Sequence, residues 1–365
     1  MAGISEIRRY GQSIWLDNLT RTHLEEGRLA DLIAQGVSGI TSNPAIFHKA
    51  ITESPYYKTA LEKLKSSEAD TERRYESLVI EDIQRACDLL RPAFEASHGD
   101  DGYVSLEVAP RYAHDVANTV SEAGRLSSLV DRDNLLIKVP GTPQGLEAFE
   151  QLTAEGLRVN VTLLFSLRQT VRTFEAYIRG ARRWVEKGGE PTRLKAVASL
   201  FLSRVDTLVD KKLEAINTPE ALALRGKTAV SMARLAYQRY RDFFHGKGFE
   251  TLNKSGVRPQ YMLWASSGTK NPAYSDLLYV EPLIGSETIN TLPDKTLSAL
   301  LDHGRIDPSL DFGVPEAEAH MVALEAQGLD LDAAGETLQA DGLKLFAESY
   351  DKLIDVMSWP LGYFK

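Results

Sequence analysis

The sequence predicts an α/β protein: a (β/α)8 TIM barrel with additional helices and a C-terminal extension. Three observations predict it. Eight short runs have strand character, amphipathic helical stretches separate most of them, and the runs are apolar on one face while several carry polar groups on the other. Strand–helix alternation implies a parallel sheet covered by helices, and eight such units point to closure of the sheet on itself. A length of 365 residues suits one closed barrel with additions. The barrel is expected over 1–310, and a mainly helical extension packed on it over 311–365.

The strands are expected at 13–18, 39–43, 103–109, 134–140, 158–164, 196–202, 260–266 and 288–292. Between the fifth and sixth, a helix over 167–187 presents Val171, Phe174, Ile178, Ala181 and Val185 on one face, with Ser166 as its N-cap. Two regions exceed the basic plan. Residues 44–102 leave room for at least two helices between the second and third strands. The tail beyond about 311 is acidic, then helical through 343–357, and ends in the aromatic run SWPLGYFK, which is expected to pack back on the barrel.

Side chains alternate along a strand with period two. In the third strand Val104, Leu106 and Val108 oppose Ser105, Glu107 and Ala109. In the fourth, Leu135, Ile137 and Val139 oppose Leu136 and Lys138. In the fifth, Val159, Val161 and Leu163 oppose Asn160 and Thr162. In the sixth, Ala198, Leu200 and Leu202 oppose Val197, Ser199 and Phe201. The apolar face is expected to point outward at the helices. Glu107, Lys138, Asn160, Thr162 and Ser199 then converge inside, and Asp17 and Asn43 join them at the ends of the first two strands. Burying such groups unpaired costs several kcal/mol on order-of-magnitude scales, so their concentration near the C-terminal ends of the strands points to chemistry.

Lys138 is the central candidate. An amine forms a Schiff base only when unprotonated, and desolvation between Leu136, Ile137 and Val139 favours that form. The alternative is a buried ion pair with Glu107. Glu107 and Asp17 are paired carboxylates suited to proton transfer, or else counter-ions of Lys138. Thr162 could hold a water beside Glu107, and Asn43 and Asn160 could bind substrate hydroxyls, each with a structural hydrogen bond as the alternative. Arg204, after the sixth strand, and Ser266 and Lys270, after the seventh, are phosphate candidates at the rim where late loops often bind phosphate; the alternative is a solvated surface charge.

Composition narrows the function classes. Hydrophobic residues make up 43% and charged residues 25%, with a formal charge of -9, so a nucleic-acid footprint is not expected. The lone cysteine, Cys87, is expected to be buried and structural. No run is long enough for a membrane span, and no secretory leader is recognisable; a cytoplasmic location is expected. The histidines have no metal-ligand spacing, so no metal is expected. Gly226-Lys227-Thr228 resembles the end of a P-loop without its upstream glycine, and the Arg182-Arg183 and Arg239/Arg241 charges are expected on helix surfaces.

The runs GITSNPAIF, VSLEVAP, LLIKVPGT, VNVTLLFS, ASLFLSRVD and YVEPLIGSETINTLP resemble the transaldolase family, specifically its longer bacterial type, from about residue 10 to 305. The resemblance implies a class I aldolase barrel without a cofactor. It implies transfer of dihydroxyacetone from sedoheptulose 7-phosphate to glyceraldehyde 3-phosphate, giving erythrose 4-phosphate and fructose 6-phosphate. It further implies Lys138 as the Schiff-base lysine, Asp17 as the acid/base at the cleaved bond, and Glu107 with Thr162 as holders of the catalytic water. Asn43, Asn160 and Ser199 would line the substrate site, and Arg204, Ser266 and a further basic residue would bind phosphate. The sequence departs from the family at Ala265-Ser266-Ser267-Gly268-Thr269-Lys270, where Lys270 stands in place of a usual arginine. Sugar phosphates are the expected partners, and a homodimer is a possible assembly. A Schiff-base lyase releasing free dihydroxyacetone, a non-catalytic sugar-phosphate binder and a metal-dependent aldolase are the rival readings.

Overall fold

The computed structural model describes residues 3–65 and 70–358. Its strands are β1 (Gln12–Leu16), β2 (Ile40–Thr41), β3 (Val104–Glu107), β4 (Leu135–Pro140), β5 (Val159–Leu164), β6 (Ala196–Phe201), β7 (Tyr261–Ala265) and β8 (Thr288–Leu292). All neighbours run parallel, and β1 through β8 close into a barrel in sequence order. Each expected strand is present, shortened by a residue or two at one or both ends in most cases. The ends trimmed at Asp17, Asn43 and Ser266 lie just past the last ladder positions, in the loops of the C-terminal rim.

Parallel register places paired residues on the same side of the sheet. Glu107 pairs with Lys138, and Lys138 with Asn160, so these side chains form one layer inside the barrel. The opposite parity packs outward: Leu106, Ile137, Val139, Val159, Val161 and Leu200 are buried against the surrounding helices.

The alternation fails at one predicted position. Leu163 does not continue the outward face of Val159 and Val161. The β5–β6 register shifts between Val161 and Leu164, and Leu163 adopts φ 61°. This bulge turns the end of β5 toward the last helix (Leu331–Val356). Gln339 there donates Nε2 to the carbonyls of Gly141 and Leu163, at 3.0 Å each. A Cβ at Gly342 would meet a terminal methyl of Leu163 at 2.9 Å, so a larger residue at that turn of the helix would displace the Leu163 side chain.

The helix after β5 spans Leu167–Glu186, and Ser166 caps it by accepting from the Gln169 N–H. Its buried stripe is Thr173, Phe174, Ala176, Tyr177, Gly180 and Ala181; Val171, Ile178 and Val185 lie only half-buried at its edge. The rotation follows from packing. Gly180 lets the helix approach the preceding one (Pro143–Ala154) so closely that a Cβ would sit 2.6 Å from the Glu150 carbonyl.

The insertion between β2 and β3 holds helices Pro44–Glu53, Lys58–Lys65 and Thr71–Ala96. Cys87 is buried in the last of them, where burial pushes its thiol pKa well up. After β8 come helices Asp294–His303, Val314–Ala326 and Leu331–Val356. The last begins a dozen residues earlier than the sequence suggests, because Asp330 caps it by accepting from the Ala333 N–H. It crosses the C-terminal end of the barrel. Gly335 lies against Ser166, Gly342 near Arg204, and Tyr350 donates to Glu72 and meets Tyr75 edge-on. The aromatic run Trp359, Tyr363 and Phe364 lies outside the described residues. Among the described residues no helix is long and apolar enough to cross a membrane.

Candidate active site

The inner layer of β3, β4 and β5 carries a buried charge pair at the C-terminal end. Lys138 Nζ lies 3.5 Å from Glu107 Oε2, with both side chains only 6% exposed. The ammonium donates to the Ser42 carbonyl at 3.1 Å. Burial pushes Glu107 above the usual carboxylate range; the Lys138 charge opposes this and Asp17 reinforces it. Glu107 Oε2 and Thr162 Oγ1 are both enclosed without a hydrogen-bond partner among the described residues. Asn160 is partnered on both its nitrogen and its oxygen by contrast. It donates to Ser105 Oγ at 3.1 Å and accepts from Ser199 Oγ at 2.7 Å.

Asp17 follows β1 and accepts from Thr41 Oγ1 at 2.8 Å; Thr41 in turn meets Thr291 at 2.6 Å. Burial raises the Asp17 pKa. The Thr41 bond and the charges of Lys138 and Lys270 lower it, and Asp294 raises it further. A cleft of about 550 Å³ opens beside Asp17, lined also by Asn18, Asn43, Lys49 and Asp294. Asn43 caps helix Pro44–Glu53 through Oδ1, which accepts from the Ile46 N–H at 3.0 Å. Its amide is left for the cleft. Glu107 borders a separate cavity of about 20 Å³, together with Ser42, Tyr75 and Tyr350. That is room for about one water; Thr162 does not border it.

Arg204 sits in the first turn of helix Ser203–Ile216, half-buried, with its guanidinium 5.7 Å from the Phe201 ring centroid. Burial lowers its pKa, and no carboxylate opposes the shift; a guanidinium stays charged regardless. Ser266 closes β7 in the left-handed region at φ 54°. Its Oγ is 2.8 Å from Ser203 Oγ, and its carbonyl accepts from the Ser203 N–H. The ends of β6 and β7 are thereby tied, with Arg204 and Ser266 at the joint. Lys270 is exposed on the following loop, and its charge reaches Asp17.

The structure thus brings Lys138, Glu107, Asp17, Thr162, Asn160 and Ser199 into one interior, and sets Asn43, Arg204, Ser266 and Lys270 around its rim. Sequence reasoning missed Thr41, Ser42 and the residues of the last helix, and it placed Ser105 on the inner face without giving it a role. Thr41 shares strand parity with Asn43 and was findable; Ser42 acts through its carbonyl, which no residue type reports. Among the described residues no group of three or more His, Cys, Asp or Glu could hold a metal ion.

Fold and site together define a (β/α)8-barrel enzyme with its ionisable groups gathered at the C-terminal ends of the strands. A family model described as transaldolase/fructose-6-phosphate aldolase matches residues 14–357. The chain is 59% identical to a transaldolase of Thiobacillus denitrificans over 96% of its own length and 98% of that protein's. It is 42% identical to one of Neisseria gonorrhoeae, covering 97% and 99%, and 43% identical to one of Frankia alni, covering 98% and 97%. The chain belongs to the transaldolase/fructose-6-phosphate aldolase family, and its enzyme class is that of the transaldolases.

Proposed function

We propose that this enzyme transfers a dihydroxyacetone unit from sedoheptulose 7-phosphate to glyceraldehyde 3-phosphate through a Schiff base on Lys138. The products are erythrose 4-phosphate and fructose 6-phosphate, and the setting is the cytoplasmic pentose phosphate pathway. The observation that carries this reading is the 3.5 Å contact of Lys138 with Glu107 inside the barrel. Lys138 attacks the ketone carbon of the donor, and Glu107 takes the proton the amine must lose. Loss of water from the carbinolamine gives the imine, with that water held at Glu107, whose Oε2 has no hydrogen-bond partner among the described residues. Asp17 removes the proton of the hydroxyl on the far carbon of the bond to be cleaved, so that its oxygen becomes the carbonyl of the leaving aldehyde. That bond breaks, the aldehyde leaves, and its electron pair remains on nitrogen-conjugated carbon as an enamine. The acceptor aldehyde adds to this carbon, Asp17 returns the proton to the new alkoxide, and water hydrolyses the imine. Arg204, with Ser266 and Lys270, grips the phosphate of each aldehyde, which keeps the exchange faster than loss of free dihydroxyacetone.

The test is borohydride reduction with fructose 6-phosphate, followed by peptide mass spectrometry. One dihydroxyacetone-derived group is expected on the peptide containing Lys138, and Lys138→Arg should be inert. An adduct on another lysine would overturn the assignment. Rapid release of dihydroxyacetone without acceptor would favour a lyase instead.

A further inference from the structure

Asp294 lines the same cleft as Asp17 and has no role in the mechanism above. It opens the helix Asp294–His303 directly after β8, 276 residues from the loop it contacts. Three donors from the other end of the chain converge on it. Asn18 Nδ2 donates to Oδ2 at 2.6 Å, Arg28 Nη2 to Oδ1 at 3.2 Å, and His23 Nε2 lies 3.4 Å from Oδ1. Asn18 is the chain neighbour of Asp17, and the Asp17 N–H donates to the Leu292 carbonyl at 2.8 Å. The loop bearing Asp17 is thus fastened to the end of β8 and the start of its helix by a backbone bond and a side-chain bond.

We propose that Asp294 is a positioning residue for Asp17: it holds the Asp17 loop through Asn18 and sets a fixed negative charge along the cleft. The inference rests on Asp17 being the proton-transfer group at the cleaved bond. Two features make the charge permanent. A carboxylate in the first turn of a helix is favoured by the helix dipole. Burial disfavours the charged form of Asp294, but His23, Asn18 and Arg28 outweigh it and hold its pKa at about 2. Asp17 therefore sits among opposing charges. Lys138 from β4 and Lys270 from the β7 loop favour its anion, Asp294 opposes it, and Glu107 in β3 carries the same sign. Lys49 and Glu53 border the cleft from helix Pro44–Glu53. Removing Asp294's charge leaves the two lysines less opposed, so Asp17 should ionise at lower pH.

The experiment is the pH profile of single-turnover donor cleavage, where activity rises as Asp17 loses its proton. Asp294→Asn keeps an acceptor for Asn18 while removing the charge, and should move the acidic limb down by roughly half a pH unit. Arg28→Gln strips a compensating cation from Asp294 and should move the limb up by less. It also serves should Asp294→Asn fail to fold. Limbs unmoved in the variants that fold, with only stability or KM altered, would overturn the proposal and leave Asp294 a purely structural anchor. Asp17→Asn separates the two readings: its acidic limb should vanish. A limb that persists in Asp17→Asn places the failure with Asp17 itself.

Discussion

Two clusters of buried charge, one at each end of the barrel, are treated in opposite ways. At the N-terminal end Lys195 is fully buried, yet its ammonium meets Asp100 Oδ1 at 2.7 Å and lies 3.7 Å from the Tyr261 ring centroid. Tyr261 donates to the other Asp100 oxygen at 3.1 Å. Burial alone would raise the Asp100 pKa, but Lys195, Tyr261 and Arg258 hold it below the usual carboxylate range. Next to it, Asp101 accepts from Trp15, Ser13, Arg8 and the Gly102 N–H. At the C-terminal end Lys138 has one carbonyl and a looser carboxylate, Glu107 and Asp17 are pushed up by burial, and Arg204 has no counter-ion among the described residues. Satisfied buried charges brace a fold; incompletely satisfied ones are where a substrate completes the set.

The largest effect that tests this contrast is at the loosely held carboxylates. Asp17→Ala should stall carbon–carbon cleavage after the imine forms, and Glu107→Ala should slow imine formation itself, each by about 10²–10⁴-fold. Single-turnover trapping separates the steps, and identical defects in the two variants would show the roles to be misassigned. Neither change should cost stability in proportion.

The N-terminal end should behave in reverse. Asp100→Ala leaves the Lys195 ammonium buried beside Arg258 without its nearest carboxylate, at a cost of about 3 kcal/mol in unfolding free energy, with kcat of the folded fraction unchanged. The stability Asp100 contributes is fully present above about pH 4. It is lost as pH falls through the depressed folded-state pKa, so acid denaturation of Asp100→Ala should lose that dependence. Asp17→Asn should instead raise the melting temperature slightly at neutral pH. The raised Asp17 pKa means its anion opposes folding there, and the gain should fade as pH falls and Asp17 protonates. Urea and thermal melts across pH check both signs; a destabilised Asp17→Asn would erase the contrast.

The smallest effect on catalysis belongs to the rim. Arg204→Ala should lower kcat/KM for glyceraldehyde 3-phosphate by about one to two decades, as loss of one charge-assisted contact of roughly 1.5–3 kcal/mol implies. Unphosphorylated glyceraldehyde should suffer much less. Lys270→Ala should show the same selectivity more weakly, since Lys270 is exposed and its charge also serves Asp17. Equal losses on both acceptors would remove Arg204 from the phosphate grip.

Most of the barrel and its inner face was legible in the residues, because strand periodicity is local and a closed parallel barrel leaves only one inside. The parity that put Glu107, Lys138 and Asn160 together needed no more than Val, Leu and Ile at alternate positions, and the register pairs them as that parity requires. What periodicity could not supply is anything set by a partner far along the chain. The bulge at Leu163 answers to Gln339 and Gly342. The buried stripe of helix Leu167–Glu186 was turned by its neighbour's backbone, and Asp294 meets Asn18 only because the first and last strands are adjacent in the closed barrel. Residue type and spacing, which act over a few positions, determined the strands, the inward polar set and the family resemblance. Tertiary closure, which acts between distant segments, decided which of those polar groups were satisfied and which were left without a partner.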